Sequence, residues 1–228
     1  MTYGESFLIE FAKDLVLIPM TLLPIINPLS SAPVFVATVG RHPASAKRLA
    51  RQISINSWFV IVVSMLIGTY VLRVFGISLP IVRLGGGLLV AAAAWRMLGA
   101  QHGEDEMHAA AVDEARALSQ QEILSRSFFP MTFPLTTGPG TIAASIALGT
   151  EFPMTTPALY LTGLAICAGG ATLVSIVLYY IFKNAAAVLG KLGPAGTLVM
   201  MRLMSFILLC IGIQIMWNGW AELNGIVS

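Results

Sequence analysis

The sequence predicts an all-α integral membrane protein of six transmembrane helices, built as an inverted 3+3 repeat with spans 1 and 4 broken at mid-membrane. Three observations carry that expectation. Of 228 residues, 57% are hydrophobic and only 11% are charged, against about a quarter charged in an ordinary soluble domain. The charges gather in short blocks between long apolar runs, and the mean hydropathy is +0.83. Two proline-interrupted segments, IPMTLLPIINPLSSAPVF and FPMTFPLTTGPGTIAAS, occupy matching places in the two halves of the chain. A water-soluble enzyme is excluded, and a formal charge of +2 gives neither a nucleic-acid footprint nor an acidic tail.

The spans follow from the uncharged runs. No charge lies between Asp14 and Arg41, nor from Ser54 to Leu72, Leu84 to Trp95, Ser127 to Thr150, Phe152 to Phe182, or Leu203 to Ala221. A helix needs about 20 residues to cross a hydrocarbon core of about 30 Å. Spans are therefore expected near 15–39, 53–74, 77–98, 128–149, 158–182 and 199–220. They form a single membrane domain over 1–228, with repeat 1 at about 1–98, a cytoplasmic linker at about 99–127 and repeat 2 at about 128–228. The N-terminus has no basic residue before the first apolar run and no small-residue cleavage site, so the first segment is expected to be retained.

Orientation rests on the basic residues. Loops 1–2, 3–4 and 5–6 with their helix ends hold ten Lys and Arg, whereas the other side holds Lys13, Arg73 and Arg83. The positive-inside rule then places both termini outside and these three loops in the cytoplasm. The 99–127 linker contains HGEDEMH. His102, Glu104, Asp105, Glu106 and His108 have ligand-type side chains, but their spacing matches no defined metal site, and a solvated linker is expected. Cys167 and Cys210 lie deep in apolar runs and read as packing residues. No Ser, His and acid constellation falls within the spans, so neither enzyme activity nor a cofactor is expected.

The repeat keeps its register. Pro24 and Pro134 are 110 residues apart, as are Tyr70-Val-Leu-Arg73 and Tyr180-Ile-Phe-Lys183, while Arg83-Leu84 and Arg202-Leu203 are 119 apart. A three-span unit repeated once must be inverted in its second copy, because an odd number of crossings reverses the chain. Asn27-Pro28 and Gly138-Pro139-Gly140 should break their helices, since proline lacks an N–H and clashes with the preceding turn. Proline also suits the first turn of a new helix. Half-helices are thus expected to start inside the bilayer, their N–H groups joining Ser30, Ser31, Thr136 and Thr137 in a pocket for an anionic group such as a carboxylate. Arg83 and Arg202 are expected to be equivalent gating or charge partners facing the interior or a vestibule. The Gly85–Gly87 run and the Gly169-Gly170 pair read as close helix packing.

At NPLSSAPVF, FGISLPIVRLGGGLL, FPLTTGPGTIA and MRLMSFILLCIGIQIMWNG the chain resembles the MarC family of six-span bacterial inner-membrane proteins, also grouped as small neutral amino acid transporters. The resemblance runs nearly end to end, and family members often have Gly-Asn where this chain has Ser30-Ser31. It implies transport of small neutral amino acids across the bacterial inner membrane.

The residues narrow the substrate separately. No Asp or Glu lies within an apolar span, which disfavours an organic cation. A small zwitterion fits better, its carboxylate at the half-helix N-termini and its ammonium on freed carbonyls or the Asn27 amide oxygen. The expected partners are this zwitterion, sodium ion or a proton as coupling ion, and membrane lipid, with a homo-oligomer left open and no nucleic acid. Glu10, Asp14 and His42 lie near span ends and are expected to be solvated. An anion-selective channel or carrier and a non-transporting membrane scaffold are the alternatives.

Overall fold

The computed structural model describes residues 3–40, 42–99, 119–152 and 157–226, and every regular element among them is helical. The linker residues His102–His108, expected to be solvated, lie outside the described residues.

Helix α1 (Tyr3–Ile26) gives way at Asn27 to α2 (Pro28–Val39), and the two axes meet at 59°. The cause is local. Pro28 supplies no N–H, and Asn27 adopts φ 47°, ψ 60°, a left-handed conformation that asparagine tolerates better than most residues. α3 (Pro43–Val74) closes with Gly76 at φ 67° and the Ile77 N–H on the Leu72 carbonyl, a Schellman-type stop. α4 (Leu79–Gly99) follows. α5 (Gln120–Arg126) starts at a capping box: Ser119 N–H donates to Glu122 Oε2 at 2.8 Å, and Glu122 N–H to Ser119 Oγ at 3.2 Å.

The next stretch, Ser127–Thr136, is a widened helical segment interrupted at Phe129 and Phe133, whose backbones are extended. Each precedes a proline, Pro130 or Pro134, which disfavours the α conformation in the residue before it. Both X–Pro bonds are cis. α6 (Pro139–Gly149) then begins on Pro139.

The last element, α7 (Pro157–Leu223), has 67 residues with one non-helical position, Gly193, at φ 68° and ahead of Pro194. A straight helix of that length would reach about 100 Å. The chain instead folds back, because Tyr180, Val188 and Met200 line one cavity of about 220 Å³. The separate spans expected at 158–182 and 199–220 are thus joined by helix through 183–192 and 194–198. Alanine and leucine in KNAAAVLGKL favour helix beyond the apolar run, so the helix outlasts the hydropathy signal. The same holds for α3, which starts ten residues before the expected 53.

α3, α4 and α7 are long and apolar enough to cross a membrane, and the bent pair α1–α2 makes a fourth candidate. Their core holds Ile18, Leu22, Phe35, Ile61, Met65 and Phe182, all at 1% exposure or less. The rings of Phe35 and Phe182 stack at 5.0 Å. Large apolar side chains such as Met20, Val74, Trp95 and Val199 cover the outside, as expected of a surface facing hydrocarbon. Small residues sit at the crossings: a Cβ on Gly87 would lie 2.7 Å from the Gly212 carbonyl oxygen, and one on Gly170 would meet Ile18. These glycines serve close packing, as expected.

Candidate functional site

At the first break, Asn27, Pro28, Ser30 and Ser31 are all buried. Asn27 keeps its own N–H on the Leu23 carbonyl at 2.9 Å and accepts the Ser30 N–H at 3.1 Å. Its side-chain amide donates to the Met204 carbonyl at 3.4 Å, tying the break to the second arm of α7. No side chain caps α2. The Ser30 hydroxyl is buried and has no hydrogen-bond partner, a costly state unless something else engages it.

At the second break, three buried threonines turn their hydroxyls backwards. Thr132, Thr136 and Thr137 donate to the carbonyls of Ser127, Met131 and Thr132, each five residues earlier, at 2.6, 2.7 and 3.1 Å. The Thr137 N–H also reaches the Thr132 carbonyl at 2.7 Å. These i→i−5 bonds lie in the widened segment, where extended Phe129 and Phe133 interrupt the α-helical pattern. The expected threonine contribution to a donor pocket is thereby engaged in local backbone bonding. Gly138, half-buried and extended, precedes α6, which also lacks a side-chain cap. Pro139 is exposed, whereas Gly140 is buried so tightly that a Cβ there would strike Val90 of α4.

The two breaks are neighbours. Ser31 Oγ donates to the Leu135 carbonyl at 3.5 Å, and Thr38 Oγ1 sits 4.0 Å from Met131 Sδ, so α2 runs antiparallel to the segment leading into the second break.

Beside them opens a cavity of about 530 Å³ between α1, α4, α6 and the end of α7. Its apolar wall includes Ile25 and Ala143, two residues from Asn27 and three from Gly140. Its polar wall is Thr21, Arg83, Glu151, Asn218 and Glu222. Arg83 and Glu222 form an ion pair. Arg202 is exposed on α7 and does not line this cavity. The two arginines therefore have different surroundings. His42, expected to be solvated, is half-buried, with Nε2 buried and without a partner.

Glu151, Asn218 and Glu222 were not among the expected site residues. A signal existed: an arginine inside an apolar run needs a counter-charge, and Glu151 and Glu222 end the fourth and sixth uncharged runs, on the side assigned to Arg83. Among the described residues no group of three or more His, Cys, Asp and Glu could hold a metal ion.

The model for the MarC family integral membrane protein matches residues 12–224. Proteins called UPF0056 inner membrane protein MarC from Salmonella paratyphi B and Citrobacter koseri are each 30% identical over 216 residues, covering 90% of this chain and 92% of theirs. No solved structure matches. The family match runs through both breaks and through Arg83, Glu151, Asn218 and Glu222 of the cavity, and the chain belongs to the MarC family of integral membrane proteins.

Proposed function

We propose that this protein is a multi-pass bacterial inner-membrane secondary transporter that moves small neutral amino acids by alternating access of two inverted three-span repeats. The observation that carries it is the pair of uncapped, proline-initiated half-helices, α2 and α6, which start 111 residues apart and whose breaks are bridged by Ser31 and Leu135. Two half-helix N-termini facing one interior are suited to an anionic group. The unpartnered Ser30 hydroxyl offers a further buried contact there.

Element order supports the repeat. A broken pair, a long helix and a second long helix occur in each half, as α1–α2, α3 and α4, then 127–149 and the two arms of α7. Six crossings on this count keep both termini on one side, and the basic loops put that side outside. The charged cavity then opens outward. The MarC relatives are named as inner-membrane proteins, which supports the location. The substrate is a small zwitterion, driven by sodium ion or a proton.

A non-transporting scaffold is the second reading, favoured by the packing at the breaks: a Cβ on Gly138 would sit 2.7 Å from the Pro134 carbonyl oxygen. Purified protein in liposomes, assayed for glycine, alanine, serine and threonine uptake under imposed sodium and proton gradients, separates the two. Gradient-driven uptake supports the transporter. Its absence for all four returns the breaks to a packing role.

A further inference from the structure

We infer that the Arg83 cavity is an outer docking site for the zwitterion, in which Arg83 takes the substrate carboxylate, Glu222 takes its ammonium, and Glu151 turns free anions away. The inference rests on the transporter reading and adds to it a selectivity filter above the breaks.

Arg83 and Glu222 already hold opposite charges in contact, across α4 and the end of α7. An amino acid carries its carboxylate and ammonium on one carbon, so it presents the same pair of charges at short separation. The guanidinium has five N–H donors, and one carboxylate contact leaves others for a second acceptor. The pair is also partly exposed, with 26% and 43% of the two side chains accessible. Exposed pairs are weakly held, so an incoming zwitterion can replace each partner with its own opposite charge.

The third charge sets the sign. Arg83 and Glu222 cancel, and Glu151, which forms no ion pair among the described residues, leaves the cavity wall at one net negative charge. A free carboxylate meets repulsion, whereas a zwitterion brings an ammonium for it. This opposes an anion channel through the same opening. The apolar wall at Ile25, Ala143 and Ala144 suits a small aliphatic side chain and leads toward both breaks.

The test is labelled L-alanine uptake in proteoliposomes, with L-lactate, which keeps the carboxylate and lacks the ammonium, as competitor. Arg83→Gln and Glu222→Gln should each raise the alanine KM about tenfold, the loss of one charge-assisted contact. Their effects on lactate should be opposite: Glu222→Gln and Glu151→Gln strengthen its competition, and Arg83→Gln weakens it. Arg83→Lys and Glu222→Asp, with melting temperatures measured alongside, should restore the wild-type lactate-to-alanine preference. If every variant changes only the maximal rate and leaves that preference fixed, the pair is a structural latch and the docking site is overturned while the transporter stands. If wild-type protein takes up none of glycine, alanine, serine and threonine, both fall.

Discussion

Trp58 donates its indole N–H to the Ala168 carbonyl at 3.3 Å and to the Thr172 hydroxyl at 3.0 Å. Trp58 and Ala168 are 110 residues apart, the same offset that relates Pro24 to Pro134. A residue that touches its own counterpart in a two-fold repeat lies on the axis relating the copies. In the proposed repeat α3 and the first arm of α7 would take that position, and the bond ties these two helices together. Trp58→Phe keeps the apolar body and deletes the donor. A loss of about 1 kcal/mol is expected, read as a melting temperature lower by about 2–4 °C in detergent. An unchanged melting temperature would show that the bond carries no weight.

The three-glycine run in α4 should divide under alanine substitution. A Cβ on Gly85 meets nothing within 4 Å, whereas one on Gly87 would lie 2.7 Å from the Gly212 carbonyl oxygen and 2.7 Å from the Met216 nitrogen. Backbone atoms cannot swing aside as a side-chain tip can. Gly85→Ala is expected to be neutral or to stabilise by up to about 1 kcal/mol, through helix propensity. Gly87→Ala must push α4 from α7 and should cost about 1–3 kcal/mol. Thermal unfolding of the two variants side by side checks the contrast, and equal effects would contradict the packing.

Membrane orientation is testable by thiol labelling, and the structure guides the choice of positions. Ser45 is buried and Ser119 is engaged in the α5 cap, so both are poor sites. Ala44, Gln121 and Asn224 are exposed. Cys210 is exposed and must first be replaced by serine, whereas Cys167 is buried. In intact cells a membrane-impermeant maleimide is expected to label Asn224→Cys and to spare Ala44→Cys and Gln121→Cys. The reverse pattern would invert the topology.

The breaks were legible in the sequence because proline acts locally. Pro28 and Pro139 each open a helix where the sequence places them, and Asn27 takes the left-handed turn between α1 and α2. Helix ends were less legible. Hydropathy marks what faces lipid, while α3 and α7 run on through polar and alanine-rich residues that favour helix without being apolar. The backward bonding of Thr132, Thr136 and Thr137 was not legible, since it depends on the widened helical geometry of Ser127–Thr136. Nor was the cavity. Arg83, Glu151 and Glu222 are 68 and 71 residues apart in sequence and converge only through the packing of α4, α6 and α7.

Ser30 sharpens the question of whether the first break binds substrate. Its hydroxyl is buried at 3% residue exposure and lacks a partner, while Ser31 beside it bonds across to Leu135. An unsatisfied buried hydroxyl costs about 1–3 kcal/mol, so Ser30→Ala should stabilise the unliganded protein, by about 1 kcal/mol once the small lost volume is counted. If the hydroxyl engages the substrate carboxylate during transport, the same change should raise the alanine KM several-fold. Stability and function would then move in opposite directions, as expected where a site holds an unsatisfied group for its ligand. Ser31→Ala is the control: it removes a bond that is already made, and should lower both stability and transport. A Ser30→Ala protein that melts higher and transports alanine with unchanged KM would show the hydroxyl to be a packing defect and would move the site away from α2.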